Sequence, residues 1–402
     1  MSQNSLYSRI VKDASKIDEI EVFLSTYFGS SGQTEPGKIV HGNQIEVQYK
    51  SNRREISDIL VVGDISDELL DKLEQDIDDQ VFADHGNDVR VVHIFTCPSM
   101  VGQVRVGNDF QIIPVPAEAP KPAEIMANHP ALLEFVYQKS PNMLIDQHRR
   151  AKRQRELVGL LNVLIRGGVS DNSCTGQKAW ILDSSVTPWT SDWRQIDYAS
   201  SAKWGEKDEF GFSINEIWEN IPRKEPADYY SRSGYAVNYP FHFPASFESS
   251  VDRYFTLGFD EQEQFQIAAH WVAKSSEVKH ASESLSYTAL LFALEGLMKR
   301  PEKIGHCDPC HRDKYDKSIK DCFEELLEEH GARCPRADIT KIYGIRSSIA
   351  HGGGLLPRDR EVMGFRFNVE QNEKDAVFRR LRLVCMVVLI NWLHSDARTE
   401  KD

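Results

Sequence analysis

The stretch 343-YGIRSSIAHGGG-354 decides how the C-terminal third of this chain is interpreted. Together with Ile339 and Ile342 just before it, apolar residues recur at three- and four-residue spacing, which predicts one buried face of a helix. Gly352 stands where the C-terminal cap is expected, because glycine adopts the left-handed conformation without steric cost. Arg346 lies on the face that should be apolar. A buried guanidinium needs a partner, so this position predicts either a buried carboxylate or a function.

Four further amphipathic segments accompany this helix, at about 261–279, 284–299, 313–330 and 371–394. Short connections between long amphipathic helices predict an up-and-down bundle over residues 256–402. Glu295 lies beside the apolar face of the second segment, one turn from Leu291 and Met298. It is the best candidate for the carboxylate that Arg346 requires.

The preceding residues predict two more domains, so the expected fold class is α+β and multidomain. Residues 1–115 show strand and helix patterns in a mixed α/β order, including a helix capped by Ser66, and we expect this domain to sense or regulate. Prolines predict a linker over 116–124. Residues 125–255 begin with a basic helix and continue as an irregular, aromatic-rich domain that contains Trp180, Trp189, Trp193, Trp204 and Trp218. Such a cluster either stacks bases or, more often, forms the core of a loop-rich domain.

The charge of the chain restricts its contact with nucleic acid. The formal net charge is −13 over 402 residues, whereas a protein that coats nucleic acid is basic. RNA contacts are therefore expected only at local patches, and 149-RRAKRQR-155 and 379-RRLR-382 are the two candidates. Their candidate RNA-binding residues are Arg149, Arg150, Lys152, Arg153, Arg379 and Arg380. Each patch alone is more typical of a solvated helix face.

Cysteine usage and hydropathy predict a cytoplasmic protein without a membrane anchor. Seven cysteines at irregular positions argue against a disulfide framework. The first residues lack the apolar centre of a secretion signal. The most apolar run, 383-LVCMVVLINWL-393, is too short to cross a bilayer and is typical of a buried helix.

The segment 306-HCDPCH-311 has the character of a zinc knuckle. Its candidate ligands are His306, Cys307, Cys310 and His311. A complete structural site usually has a second pair of ligands, which the sequence does not supply, so a plain interhelical loop is an equal alternative. A zinc ion here would either brace the region around His351 or silence it by capturing that histidine.

A helical bundle that ends in Arg-x4-His-Gly resembles the HEPN superfamily, specifically its Apea-like branch. That family's motif is an arginine followed four to six residues later by a histidine, commonly with a small polar residue after the arginine and a glycine after the histidine. The matching positions are Arg346, Ser347, His351 and Gly352. The run 292-FALEGLM-298 is similar to the family's second-helix signature, with Glu295 in the acidic position. The resemblance covers about the C-terminal third of the chain.

The resemblance implies a metal-independent endoribonuclease that dimerises to bring two motifs together. It implies a catalytic site of Arg346, Ser347, His351 and Glu295, and no cofactor for catalysis. Active members of the family cut RNA, and many are toxins or phage-defence effectors, so the N-terminal domains are expected to receive the trigger. Other members have lost catalysis and act as binding or dimerisation modules. A non-catalytic adaptor that binds a partner or nucleotide is therefore the alternative.

The residue types suit RNA cleavage on chemical grounds as well. Histidine can take the proton from a ribose 2′-OH near neutral pH, and arginine can stabilise the charge that develops on the phosphate. Residues five apart on a helix point about 140° apart, so one helix does not easily aim both at one phosphate. A symmetric dimer would bring two arginines and two histidines to one cleft. A DNA nuclease ranks low, because no carboxylate cluster suited to two metals is evident.

Overall fold

The computed structural model describes most of the chain outside the aromatic-rich stretch. The described residues are 13–29, 31–35, 38–42, 44–49, 56–62, 65–96, 100–115, 129–166, 168–171, 219–231, 242–279, 281–307, 312–330, 335–352, 354–356, 359 and 369–395. The fold is mixed α+β, with several small sheets and a C-terminal helical region. The five tryptophans named above and the linker 116–124 lie outside the described residues.

Contacts along the chain divide it into two compact units that do not follow the predicted boundaries. The first comprises residues 1–90 and 135–155, and the second comprises 91–134 and 156–402. Neither the predicted boundary near 115 nor the one near 255 coincides with this division. The reason is that the chain leaves the first unit, builds part of the second, and returns, which no local change in composition signals.

The first unit combines a meander of four antiparallel strands with two helices. Its strands are β1 (Ser31–Glu35), β2 (Lys38–His41), β3 (Ile45–Tyr49) and β4 (Ile56–Val61), and its helices are α1 (Ile17–Phe28) and α2 (Asp67–Ile77). Ser66 caps α2 by accepting a hydrogen bond from the Leu69 amide, as the sequence predicts. Alternate residues of β3 and the apolar faces of both helices form the core, including Phe23, Val47 and Leu73.

A five-stranded sheet and the long basic helix follow. The sheet has the order β6-β7-β8-β5-β9, with β5 (Asn87–Thr96), β6 (Val104–Val106), β7 (Phe110–Pro114), β8 (His129–Gln138) and β9 (Val169–Asp171). Helix α3 (Met143–Leu164) connects β8 to β9. Its C-terminal half approaches the helix at 259–278 closely, since a Cβ on Gly159 would lie 2.6 Å from Gln266 Oε1. A short parallel pair, β10 (Arg223–Lys224) and β11 (Phe243–Pro244), and the single turn α4 (Pro226–Tyr229) precede the helical region.

The C-terminal helical region is assembled on one central helix. It contains α5 (Phe247–Thr256), α6 (Phe259–Val278), α7 (Glu283–Leu297), α8 (Ile319–Glu329), α9 (Arg336–Ala350) and α10 (Val369–Leu393). Helix α7 packs against α6, α8, α9 and α10, and its buried side is mostly apolar, although Glu283, Ser284 and Ser286 are buried as well. The apolar residues of α10 contribute to this core, where Leu381, Cys385, Val388 and Leu389 are fully buried.

One helix begins later than the sequence spacing predicted. Residues 313–315 are not the first turn of a helix but belong to a β-hairpin of β12 (Lys303–Cys307) and β13 (Arg312–Tyr315). Helix α8 starts after Ser318, whose hydroxyl accepts from the Asp321 amide at 3.1 Å while the Asp321 carboxylate accepts from the Ser318 amide at 3.0 Å. This reciprocal capping stops the helix from extending toward its N-terminus. Tyr315, expected on the apolar face, is exposed.

Among the described helices, none combines the length and apolarity that crossing a bilayer requires.

Candidate active site on α7 and α9

The candidate site lies where α9 packs on α7. The Tyr287 hydroxyl of α7 donates to the Ile342 carbonyl of α9 at 3.0 Å, and both residues are fully buried. Helix α9 also runs antiparallel to α8, as the short connection predicted, because Lys320 contacts Thr340 and Glu324 contacts Arg336. These contacts on both sides fix the rotation of α9. They place Arg346 on the side that faces α7.

Arg346 pairs with Glu295, which confirms the partner expected from the sequence. Arg346 Nη2 donates to Glu295 Oε2 at 3.4 Å, and Arg346 Nε lies 3.2 Å from Glu295 Oε1 without the angle of a hydrogen bond. The first distance is longer than the ordinary 2.9 Å or so for such a bond, so this hydrogen bond is weak, while the ion pair at 3.2 Å keeps the two charges together. The arginine side chain keeps 30% of its surface exposed and the glutamate 15%. Arg346 is therefore neither fully buried nor fully exposed, and part of its side chain reaches the surface.

Tyr343 completes this polar group, one helical turn before Arg346. Its ring packs edge-on against Phe323 at 5.0 Å between centroids. Burial, then the negative charge of Glu295, raises the pKa of the Tyr343 hydroxyl well above its usual value, while Arg346 opposes the shift. The hydroxyl oxygen is buried and makes no hydrogen bond to any residue that the structure describes. The sequence places Tyr343 only on the apolar stripe, so this polar role was missed.

His351 ends α9 and is exposed. It is the residue that follows the last helical turn, and its amide donates to the Ser347 carbonyl at 3.0 Å. Gly352 then turns the chain with φ +70°, as its predicted role as a cap requires. Ser347 is exposed as well. The carbonyl end of a helix favours a cation, which suits an imidazole that gains a proton during a reaction.

Residues that follow His351 are hydrogen-bonded to the N-terminal end of α7. The Leu356 amide donates to Ser284 Oγ at 2.8 Å, and Asp359 accepts from the Glu283 and Ser284 amides at 2.9 and 2.8 Å. Although burial alone raises it, hydrogen bonds from Ser284 and Ser282 hold the pKa of the Asp359 carboxyl below its usual range. The backbone of His351 therefore lies between two anchored segments, helix α9 and this capping contact.

The basic patches differ in how their arginines are used. Arg149 is buried: it donates to Glu19 at 2.9 and 2.6 Å, to the Lys139 carbonyl at 2.6 Å and to the Val81 carbonyl at 2.6 Å. The prediction that Arg149 belongs to an exposed RNA-binding face is therefore wrong, because this guanidinium joins parts of the first unit. Its hydrogen bonds compensate the cost of burial.

The other candidate RNA contacts are at least partly accessible. Arg150, Lys152 and Arg153 are partly exposed on α3. On α10, Arg379 is exposed, while Arg380 pairs with Asp338 of α9 at 2.5 Å. Arg379 is thus the more available cation of the second patch, and Arg380 joins α10 to the helix that carries Arg346.

The candidate zinc segment begins at the end of β12, which contains His306 and Cys307. His306 Nδ1 lies 3.0 Å from Asp313 Oδ1, across the hairpin, and Lys303 pairs with the same carboxylate at 2.7 Å. Cys310 and His311 lie outside the described residues, and of Cys307 only the backbone is described. Within the described part of the chain, no group of three or more metal-ligating side chains comes together. The zinc site stays a prediction.

Comparison of the chain with protein-family models, with curated proteins and with solved structures finds no significant match. The resemblance to the HEPN superfamily therefore rests on the motif residues quoted above and stays a prediction.

Proposed function

We propose that the protein is a metal-independent endoribonuclease of the HEPN type, in which Arg346 and His351 act on the scissile phosphodiester. The observation that supports this proposal is the Arg346–Glu295 pair: a partly exposed arginine kept on an otherwise apolar helix face, at the helix that ends in an exposed histidine. Arg346 keeps 30% of its side chain exposed, whereas Arg149, whose pair with Glu19 is buried, keeps 5%. The proposal is that this exposure lets the guanidinium meet phosphate oxygens.

Each side chain has one task in the reaction. His351 takes the proton from the ribose 2′-OH, whose oxygen attacks the adjacent phosphorus. Arg346 stabilises the negative charge that builds up on the non-bridging oxygens. Glu295 positions the arginine. The 5′-oxygen of the next nucleotide leaves and takes up a proton, so the products carry a 2′,3′-cyclic phosphate and a 5′-hydroxyl.

The site is proposed to work as a homodimer. Arg346 and His351 are five residues apart, and α9 is helical through Ala350, so the two side chains leave the helix about 140° apart. A second copy, related by a two-fold axis, would supply the histidine or the arginine that one copy cannot aim at the same phosphate. The cleavage rate per chain is then expected to fall on dilution below the dissociation constant of the dimer.

The deciding experiment is cleavage of a defined RNA by the full chain with and without EDTA. Arg346→Ala, purified in parallel, controls for contaminating ribonuclease. We expect wild-type activity to survive EDTA and to leave cyclic phosphate ends, and both DNA and RNA methylated at every 2′-OH to stay intact. Cleavage of either of these substrates, or loss of activity with the chelator, would contradict the mechanism.

A further inference from the structure

Two complementary polar atoms are buried beside Arg346 without a hydrogen bond. The Tyr343 hydroxyl and Glu295 Oε1 both lack a hydrogen-bond partner among the described residues. One is a donor and the other is an acceptor, and they lie on the two helices that meet at this site. Buried tyrosine hydroxyls and carboxylate oxygens nearly always make a hydrogen bond. A donor and an acceptor that both lack one at the same helix interface therefore need an explanation.

Glu295 is held by an ion pair, with 3.2 Å between Arg346 Nε and Glu295 Oε1, and by one long hydrogen bond. Arg346 reaches Oε2 through a 3.4 Å hydrogen bond and leaves Oε1 without one. If the guanidinium moved to a phosphate oxygen, the carboxylate would remain with 15% of its side chain exposed and no cation beside it. An unpaired carboxylate in such a place opposes the departure of its arginine.

We propose that Tyr343 is a positioning residue: its hydroxyl replaces Arg346 as the hydrogen-bond partner of Glu295 when the guanidinium binds a phosphate. In this second arrangement the tyrosine hydroxyl donates to the carboxylate, which satisfies both open atoms while the arginine binds the anion. Burial favours the neutral hydroxyl, so the proton needed for this bond is present at physiological pH. The anion is RNA phosphate if the proposed function holds. Whether the Tyr343 hydroxyl replaces an absent guanidinium at Glu295 can be tested without RNA, by substituting the arginine.

The first test is a double-mutant cycle on thermal stability with the full chain. In the wild-type background, Tyr343→Phe is expected to leave the Tm unchanged or to raise it slightly, because it removes an unsatisfied hydroxyl. In an Arg346→Met background, where Tyr343 has become the partner of Glu295, the same change is expected to lower the Tm by about 2–4 °C. Arg346→Ala provides a second background should the methionine be poorly tolerated.

Tyr287→Phe is the matched control. Its hydroxyl already donates to the Ile342 carbonyl, so its loss is expected to lower the Tm equally in both backgrounds. If Tyr343→Phe also lowers the Tm equally in both backgrounds, the hydroxyl has an ordinary structural role and the proposal is overturned. The same conclusion follows if Tyr343→Phe has no effect in either.

The second test measures affinity for RNA methylated at the 2′-OH groups, which cannot be cleaved. Tyr343→Phe is expected to weaken binding about tenfold, because no hydroxyl is then present to satisfy Glu295 when the guanidinium leaves it for the RNA. In a Glu295→Gln background this effect is expected to vanish, since the neutral amide does not retain the arginine. An effect of equal size in both backgrounds would refute the exchange. If the protein binds no RNA at all, the proposed function fails, while the stability cycle still decides the role of Tyr343.

Discussion

Arg346 and His351 belong to one helix but meet different surroundings. The arginine lies in a helix interface with a carboxylate partner, and the histidine is exposed beyond the last turn. A substitution at the first position disturbs packing and electrostatics together, whereas a substitution at the second removes a chemical group and little else. The two residues therefore allow chemistry and stability to be measured separately.

His351→Ala is expected to lower the cleavage rate by ~10²–10⁴-fold, the usual contribution of a proton-transfer group, with a Tm close to that of the wild type. His270→Ala, which removes an exposed histidine from α6, is the control and should cleave normally. Rates and melts of the three proteins would be measured together. Cleavage by His351→Ala at the wild-type rate would mean that the catalytic interpretation is wrong, and the non-catalytic adaptor would replace it.

Glu295→Ala is expected to cost about 1–2 kcal/mol of stability, less than the 3–5 kcal/mol or so of a fully buried pair, because the remaining guanidinium can reach water. The proposed function predicts a slower but measurable cleavage, since Arg346 is present but poorly positioned. Glu248→Ala breaks the more exposed Arg223–Glu248 pair and serves as the control, with an expected cost of about 0–1 kcal/mol. Urea unfolding would give both values. Equal costs would show that the Glu295 pair is no more than a surface contact.

Among the helices, the C-terminal end of α9 sets the position of the His351 backbone. The helix ends because Gly352 takes a left-handed conformation, and the following residues fasten to the start of α7 through Leu356 and Asp359. The apolar side of α10 is used inside the second unit rather than left for a second subunit. If the proposed homodimer forms through the face near α9 and α10, it must therefore use their exposed residues.

Gly352→Ala tests the helix end. A Cβ at φ +70° is strained, so we expect a loss of about 1 kcal/mol together with slower cleavage, because the chain beside His351 must shift. Gly344→Ala, in the middle of the same helix, is the matched control. A Cβ there meets no atom within 4 Å, and alanine is the better helix former, so a gain of about 0.5–1 kcal/mol is expected. If both variants shift the Tm in the same direction, the conformation of Gly352 is not what ends α9.

At the scale of the whole molecule, the two units carry different buried polar groups. The second unit contains the Arg346–Glu295 site. The first contains the Arg149–Glu19 pair and two histidines, His41 and His148, each with a buried Nε2 that makes no hydrogen bond to the described residues. The first unit is therefore the one whose stability is expected to respond to mild acid.

Burial lowers the pKa of both histidines, and for His148 the nearby Asp18 and Glu19 oppose this shift. The folded unit thus binds fewer protons than the unfolded chain once the pH falls below the unfolded value of about 6.5. The contribution of the two neutral histidines to the free energy of unfolding is fully present above that pH. It is lost as the pH drops toward the pKa values of the folded state. We expect the first unit to melt at a lower temperature at pH 5.5 than at pH 7.5, and His41→Gln with His148→Gln to reduce this difference. An unchanged difference in the double variant would contradict the assignment.

Local sequence was sufficient for most elements and for one long-range pair. The cap at Ser66 and five of the six C-terminal helices, α6 to α10, follow from patterns within a few residues, because capping, period and glycine chemistry act locally. The pairing of Arg346 with Glu295 could be predicted because an arginine on an apolar face demands a carboxylate, and the amphipathic segment that became α7 offered a suitable one. The roles assigned to Arg346 and His351 stay predictions, since they depend on a substrate.

Only the tertiary structure decided which charges are buried and how the chain divides. Arg149 stands within a basic run that is typical of a solvated face, yet it is buried because Glu19, 130 residues earlier, meets it. The first unit includes residues 135–155, which are separated in sequence from its other part, residues 1–90. The open hydroxyl of Tyr343 likewise depends on how α7 and α9 meet. The sequence determines the local backbone, but the cost of burying a polar group depends on partners that only the folded chain brings within reach.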